Sequence, residues 1–566
     1  MRIYCAFIIK LKHSVAIYIV FLLVLNIPST IVLFMKSKKI VSLFILFLAI
    51  GYSNSVSSQN QLDYKVMMGY QGWFLAPGDG STTNNPWSHW FRGGTAATPD
   101  AANLTVDMWP DMSEYTDKFN TNMTYANGSN AQLFSSYSLS TTRKHFEWMS
   151  NYNVYGIYLQ RFLSAVELQT SGMFRAKNKV LNNVMTSAAE YNRKYAVMYD
   201  VSGVTDATMY AKIVADWEYL VNTYDILNKP EYVKQNGKPV VAIWGIGFKN
   251  RGLTTATSQA IIDYFKTNAA PQYRAYVMGG VPEHWRTLSG SSETGAGWTA
   301  VYNSLDMISP WSVGRYSNNN GADSFKTNNI VPDLAACNNN NKDYMPVIWP
   351  GFSWKNLKSN STPPSIETLN AIPRNGGQFY WRQAYNAVRA GVKFIYVAMF
   401  DEVDEGTAMF KITDITAKLP IQANDRLVSL DIDGVNLPSD WYLRLADQSQ
   451  KMLNGTIPLT RNIPITPPST LAGNGAEFIT QQNSLTIYPN PADSEIYINF
   501  SLPEPSDVGI SIINYMGQLV LQNSDKKKLD SGSHTIKVHV ESLSKGVYLV
   551  RININNRVFV KKVIIK

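Results

Sequence analysis

Between residues 63 and 455, eight short apolar runs alternate with segments of helical periodicity, and that alternation leaves few folds open. The runs fall at 65–70, 156–160, 194–199, 239–245, 275–280, 306–309, 345–349 and 393–399. Apolar residues at helical spacing fill 141–151, 177–191, 207–224, 257–267 and 377–390 between them. Strand and helix in repetition predict an α/β fold, a TIM-like (β/α)8 barrel with its parallel strands on the inside. A ninth run, 132–137, reads as a capped loop ahead of the helix at Thr141. Barrels of this kind need about 250 residues. The longer stretch available here implies long loops, the largest over 72–130.

The two ends follow other rules. From residue 485, the runs 495–500, 508–513, 534–540, 546–552 and 558–565 alternate with period two, separated by Gly, Pro and Asn, which predicts a small all-β, Ig-like sandwich over 485–566. Four prolines among Thr, Ser, Asn and Gly mark 456–484 as a linker. At the other end, Met35, Lys36, Lys38 and Lys39 precede a short apolar run and the polar stretch 53–58, the layout of a secretory signal peptide. A second apolar run at 15–34 is either an extra membrane segment or, the preferred reading, sequence upstream of a true start at Met35. The expected organisation is a signal region over 1–60, a barrel over 61–455, a linker over 456–484 and a sandwich over 485–566.

Charge narrows the partners. The chain carries 51 Lys and Arg against 42 Asp and Glu, a net charge of +9, but the surplus sits in the ends. Residues 1–62 hold six basic and no acidic residues, and 485–566 hold ten basic and seven acidic, so 63–484 is neutral. A nucleic-acid binder needs a basic face, and the middle has no surplus for one. Aromatic residues at 12% and charged residues at 16% exclude a disordered chain. Two cysteines, Cys5 and Cys337, rule out a paired-Cys metal cluster. No Gly-x-Ser-x-Gly elbow or phosphate loop occurs.

In a barrel the segments just past the strands converge on one face, where active sites lie. Here those segments carry Gln71 and Trp73, then Gln160, Arg161 and Phe162, Asp200, Trp244, Glu283, His284 and Trp285, Pro310 and Trp311, Trp349, and finally Asp401 and Glu402. Indoles mixed with acids, amides and arginine suit a sugar, whose C–H faces stack on aromatics while its hydroxyls take hydrogen bonds. All 14 tryptophans fall between Trp73 and Trp441, and four or five are expected to reach the substrate. His89 and Trp90, in a Trp-rich loop, are further candidates, whereas His145 lies in a helical pattern and reads as structural. Asp431-Ile-Asp-Gly434 lacks a glutamate at loop position 12 and reads as a turn rather than a calcium site.

Past the last strand come Asp401, Glu402, Asp404 and Glu405, four acids in five residues. So many like charges need a cation, a set of donors or a catalytic use, unless the segment is a solvated acidic turn.

The stretches Gly69-Tyr-Gln-Gly-Trp-Phe74, Trp87-Ser-His-Trp90, His145-Phe-Glu-Trp-Met149, Met198-Tyr-Asp200 and Pro438-Ser-Asp-Trp-Tyr-Leu-Arg-Leu445 resemble glycoside hydrolase family 99 and its 71/99-like bacterial relatives. That family carries two catalytic glutamates three apart in an Asn-Glu-Trp-His-Glu-Gly segment. Glu402 and Glu405-Gly406 match its spacing, while Asp401, Val403 and Asp404 replace Asn, Trp and His. The resemblance implies a retaining endo-α-mannosidase-like enzyme in which Glu402 draws on the sugar's 2-hydroxyl to form an anhydro-sugar and Glu405 protonates the leaving oxygen. One carboxyl must then be ionised and the other protonated. A direct nucleophile about 5 to 5.5 Å from the acid stays open. So does a non-catalytic glycan-binding protein on the same barrel. No cofactor or metal is implied.

The C-terminal segment, with Tyr488-Pro-Asn-Pro491, Met516-Gly-Gln518, Leu543-Ser-Lys-Gly-Val-Tyr-Leu549 and Lys561-Lys-Val-Ile-Ile-Lys566, resembles the sorting domain of type IX secretion cargo. This implies a Bacteroidetes-type host, the type IX machinery as partner, export across the outer membrane and removal of this domain; a secreted or cell-surface monomer acting on a glycan is the expectation for the whole chain.

Overall fold

In the computed structural model, residues 61–566 are described except for 167–168, 250, 360–366, 468–485, 503–504, 515–518, 523–526 and 555–556. The signal-peptide reading of 1–60, most of the linker and the Met516-Gly-Gln518 turn lie outside the described residues. The chain divides into two units at Thr466 and Pro467.

Strands form where the eight runs predict them, with ends shifted by one or two residues: β1 (Lys65–Tyr70), β2 (Gly156–Phe162), β3 (Lys194–Asp200), β4 (Lys238–Trp244), β5 (Tyr276–Pro282), β6 (Met307–Trp311), a divided β7 (Asp343–Tyr344 and Val347–Ile348) and β8 (Phe394–Val397). Each pairs in parallel with its sequence neighbours, and β1 pairs with β8. The break in β7 has a cause: Pro346 has no N–H for a ladder. Its first piece pairs with β6 and its second with β8. Met345 N donates to Ile308 O at 2.9 Å and Tyr396 N to Pro346 O at 3.1 Å, so bonding runs through the break and the barrel closes.

Helices cover the outside, including Leu139–Asn151, Gly172–Glu190, Asp206–Tyr224 and Gln378–Ala390. The helix Trp441–Leu453 braces the start of β1: Gln450 Oε1 accepts from Val66 N at 2.8 Å and its Nε2 donates to Tyr64 O at 2.8 Å. The loop reading of 132–137 is corrected in part, because Asn130–Leu133 pairs antiparallel with Phe119–Thr124 in a hairpin. Ala131 and Leu133 drive this by burying themselves against the main core. Residues 456–466, linker-like in composition, also pack on the barrel through Ile457, Ile463 and Ile465.

His145 is fully buried, with Nδ1 2.9 Å from Tyr70 OH and Nε2 2.7 Å from Tyr115 OH. Burial lowers its pKa from 6.5 to about 3. The unfolded chain therefore takes this proton first, and the contribution to stability is lost as pH falls from about 6.5 towards 3, on the order of 5 kcal/mol in all. His145→Gln removes the titration and is expected to flatten the acid-side decline of stability in denaturant melts. An unchanged slope would contradict a neutral buried imidazole.

In the second unit, Thr486–Tyr488, Glu495–Leu502 and Gly532–His539 form one antiparallel sheet, and Ser506–Asn514, Leu519–Gln522, Lys527–Leu529, Gly546–Ile554 and Arg557–Ile565 form the other. Their inward residues, among them Ile496, Ile498, Ile510 and Val550, share one core, as period-two alternation requires.

Candidate active site

A pocket of about 690 Å³ opens at the C-terminal ends of the strands. Strand alternation decides which side chains reach it. On β2, Gln160 and Phe162 point into it, while Arg161 between them points out to the helices. Trp73, Gln160, Asp200, Trp244, Glu402 and Glu405 line the pocket, joined by Gln71 and Trp311 from the same strand ends.

The remaining candidates lie elsewhere. Arg161 is buried against Asp216, with Nε to Oδ2 at 2.5 Å and Nη2 to Oδ1 at 2.6 Å, so it serves the packing of the helix on the sheet. Trp90 is in the core, donating from Nε1 to Phe134 O at 3.0 Å. Trp349 packs edge-on to Phe379, and Trp285 packs against Tyr302. Glu283 and His284 line a separate pocket of about 290 Å³, where Glu283 Oε1 lies 3.3 Å from Arg315 Nε. His89 stands behind the wall, stacked on Trp73 at 3.7 Å, with Nδ1 3.1 Å from Asp404 Oδ2. It therefore covers one face of the Trp73 indole, while Trp244 and Trp311, near-perpendicular to each other at 5.5 Å, stand on the same pocket wall, Trp244 with the Arg251 guanidinium 4.8 Å from its ring centre. Phe248, Arg251, Phe352, Trp354 and Glu367 also line it. They come from long loops, where no strand-end position marks them in the sequence.

The acidic segment is no solvated turn: Asp401, Glu402 and Asp404 are buried, and each end is held. Asp401 accepts from Gln71 N at 2.7 Å and Gly72 N at 2.9 Å, which ties the segment to the end of β1. Val403 O accepts from Asp107 N and Met108 N, and Glu405 O from Ser353 N at 2.9 Å. The chain turns at Gly406, with φ of 64°, where a Cβ would meet Ser353 N at 2.8 Å. Arg374 then donates from Nη2 to Gly406 O at 2.9 Å and Ala408 O at 2.7 Å. Asp401, expected as a substrate contact, is thus a structural anchor.

Gln71 Nε2 donates to Glu402 Oε2 at 2.6 Å. Burial, reinforced by Glu405 and Asp404, pushes the Glu402 carboxyl well above the usual range. Glu405, half-buried, is pushed up to about 7 by burial and then by Asp404, against the pull of Lys358. Asp401 rises to about 6, and Asp200 rises too, both through burial. Because the charge of Glu405 acts on Glu402, the two carboxyls titrate as a pair, the second proton leaving with difficulty. Such a pair can hold one proton ready for transfer and one charge ready to accept another. Among the described residues, no group of three or more His, Cys, Asp or Glu is arranged to hold a metal. Asp431 and Asp433 are spent on Thr416 N and Asn375 N, as a turn requires.

Fold and pocket together define a (β/α)8 protein with a buried carboxyl pair in an indole-lined cavity, followed by a β-sandwich. Residues 486–566 match the family of secretion system C-terminal sorting domains. Among solved structures, the GH99 endo-α-mannosidase from Bacteroides thetaiotaomicron aligns with 70% of this chain and 98% of its own, at 14% identity and a TM-score of 0.49. A glycoside hydrolase-like protein aligns with 58% of this chain and 89% of its own, at 18% identity and a TM-score of 0.37. A family 5 xyloglucanase from Paenibacillus pabuli covers 61% and 98%, at 8% identity and a TM-score of 0.33. No curated protein matches in sequence.

Proposed function

We propose that the protein is a secreted glycoside hydrolase that cleaves a glycan between Glu402 and Glu405. One observation carries the reading: two glutamates with raised pKa values stand at the end of β8 on the wall of a pocket that also presents Trp244 and Trp311. In the roles that the resemblance implies, Glu402 is the charged member, and the Gln71 amide at its oxygen is the contact that favours its anion against burial and the neighbouring carboxyls. Glu402 would draw the proton of the sugar's 2-hydroxyl, so that this oxygen attacks the anomeric carbon and the glycosidic bond breaks. Glu405, in the protonated role, would give its proton to the leaving oxygen, then take one from the water that opens the anhydro-sugar while Glu402 returns its proton to the 2-oxygen. An α-mannoside is the first substrate to try.

Activity on this account needs the singly protonated pair. The rate should fall on acidification, which adds a second proton, and at alkaline pH, which removes the one present. With Glu405 near 7, the optimum is expected near neutrality or above rather than near the ordinary carboxylate pKa. Incubating the purified protein with mannan and a panel of α- and β-glycans tests the reading by the appearance of new reducing ends. Binding without cleavage would leave a glycan-binding protein in its place.

The sorting-domain match supports export, after which the sandwich has no part in cleavage. Its strands bond among themselves around their own core. Removing residues 486–566 is therefore expected to leave kcat/KM unchanged while the protein accumulates inside its native host. A folded truncation with lost activity would assign the sandwich a share in the substrate site.

A further inference from the structure

We infer that Lys177, outside the pocket, is a positioning residue that sets the charge state of Glu402 through Gln71. This rests on the proposed catalytic pair and concerns a residue none of its chemistry touches.

Lys177 sits on the helix Gly172–Glu190 and is 6% exposed, an expensive place for an ammonium group. Its Nζ donates to Gln71 O at 3.2 Å and lies 5.9 Å from the centre of the Trp73 ring. The other end of the same residue is equally fixed, since Gln71 N donates to Asp401 Oδ1 at 2.7 Å. Side chains from two distant elements thus hold both backbone polar groups of Gln71. Gly72 follows with φ of 53°, and a Cβ there would meet Val180 Cγ1 of the same helix at 2.7 Å, so the turn is pressed against Lys177's own helix. With its backbone pinned, Gln71 aims Nε2 at Glu402 Oε2, 2.6 Å away. Its Oε1 is buried without a partner. A free glutamine would turn to satisfy both ends of its amide; this one spends its donor on the carboxylate.

Other charged groups around Glu402 mostly oppose ionisation. Asp401, Asp404 and Glu405 of its own segment raise its pKa, and the Tyr396 hydroxyl of β8 adds a second acid that feels its charge. Asp200 of β3 and Lys358 act on it through Glu405, and His89 through Asp404. The Gln71 amide is the group that lowers it. Lys177 also faces Asp401 and Arg161, and burial brings its own pKa to about 7.

Lys177→Met would leave Gln71 O unpartnered in the core and release the residue. Glu402 would lose the donor that favours its anion, so the acid limb of the kcat/KM profile should move up by about one pH unit, with kcat down about tenfold and KM little changed. Lys177→Arg, which keeps the donor, should restore most of both. Gln71→Met should give the same shift with Lys177 in place, and the double variant should add little more. Crystal structures of Lys177→Met and Lys177→Arg read the same link without activity: the Gln71–Glu402 bond should be lost in the first and kept in the second. If the protein cleaves no glycan, the catalytic reading falls while these structures still judge the link. An intact Gln71–Glu402 bond in Lys177→Met overturns the inference. Should that variant not fold, an unshifted profile in Gln71→Met overturns it as well.

Discussion

Glu405→Gln is expected to lower kcat/KM about 10²- to 10⁴-fold on a natural glycan, the usual worth of a positioned proton donor. The loss should shrink on an aryl glycoside whose leaving group departs without a proton, because only the assistance to departure has been removed. Glu402→Gln should cost as much on both substrates, since an amide cannot take the 2-hydroxyl proton whatever the leaving group. The two patterns differ because the two carboxyls sit differently: Glu402 lies deeper and is bonded to Gln71, and Glu405 is half-buried. A reversed pattern would exchange the roles, and no loss in either variant would move the chemistry to Asp200, the other buried carboxyl on the pocket wall.

Arg161→Met is expected to destabilise the barrel by about 3–5 kcal/mol, the cost of stranding one member of a buried ion pair. The pair is dense. Asp216 accepts two bonds from Arg161 and a third from Tyr199 OH at 2.8 Å, and Arg161 Nη2 also reaches Asn178 Oδ1 at 2.8 Å. Without the guanidinium, Asp216 stays 2% exposed with its charge unmatched, at the join between the helix Asp206–Tyr224 and the sheet. Denaturant melts measure the loss, and KM of the folded fraction should stay unchanged. Normal stability with a raised KM would return Arg161 to the substrate.

The fold was legible because its signal is repeated eight times and its strands are buried on both faces, which makes continuous apolar runs. The break in β7 at Pro346 was not, since 345–349 reads as one uninterrupted run. The hairpin Phe119–Leu133 was not, since its strands are short and sit in an insertion where packing, not pattern, decides. In the site, position past a strand picked out Glu402, Asp200 and Trp244, and the acidic run with its family-like spacing added Glu405. The same rule also collected Arg161, Trp285 and Trp349, because a strand end presents alternate residues to the pocket and to the helices and one unknown register separates the two. Asp401 shows a further limit. As a residue type it suits substrate binding as well as its neighbours do, and only the amides of Gln71 and Gly72 reveal it as an anchor. Lys177, far along the chain from residue 71, left no trace in the local sequence.

On the proposed function, a glycosidic bond is broken between Glu402 and Glu405. The most direct measurement is a crystal structure of Glu405→Gln soaked with an oligosaccharide that the wild type cleaves or, failing cleavage, binds. The expected result is an intact linkage with its bridging oxygen beside residue 405, the 2-hydroxyl of the sugar on Glu402, and sugar rings against Trp244 and Trp311. An oligosaccharide seated away from the two carboxyls, for instance in the smaller pocket at Glu283 and His284, would contradict it.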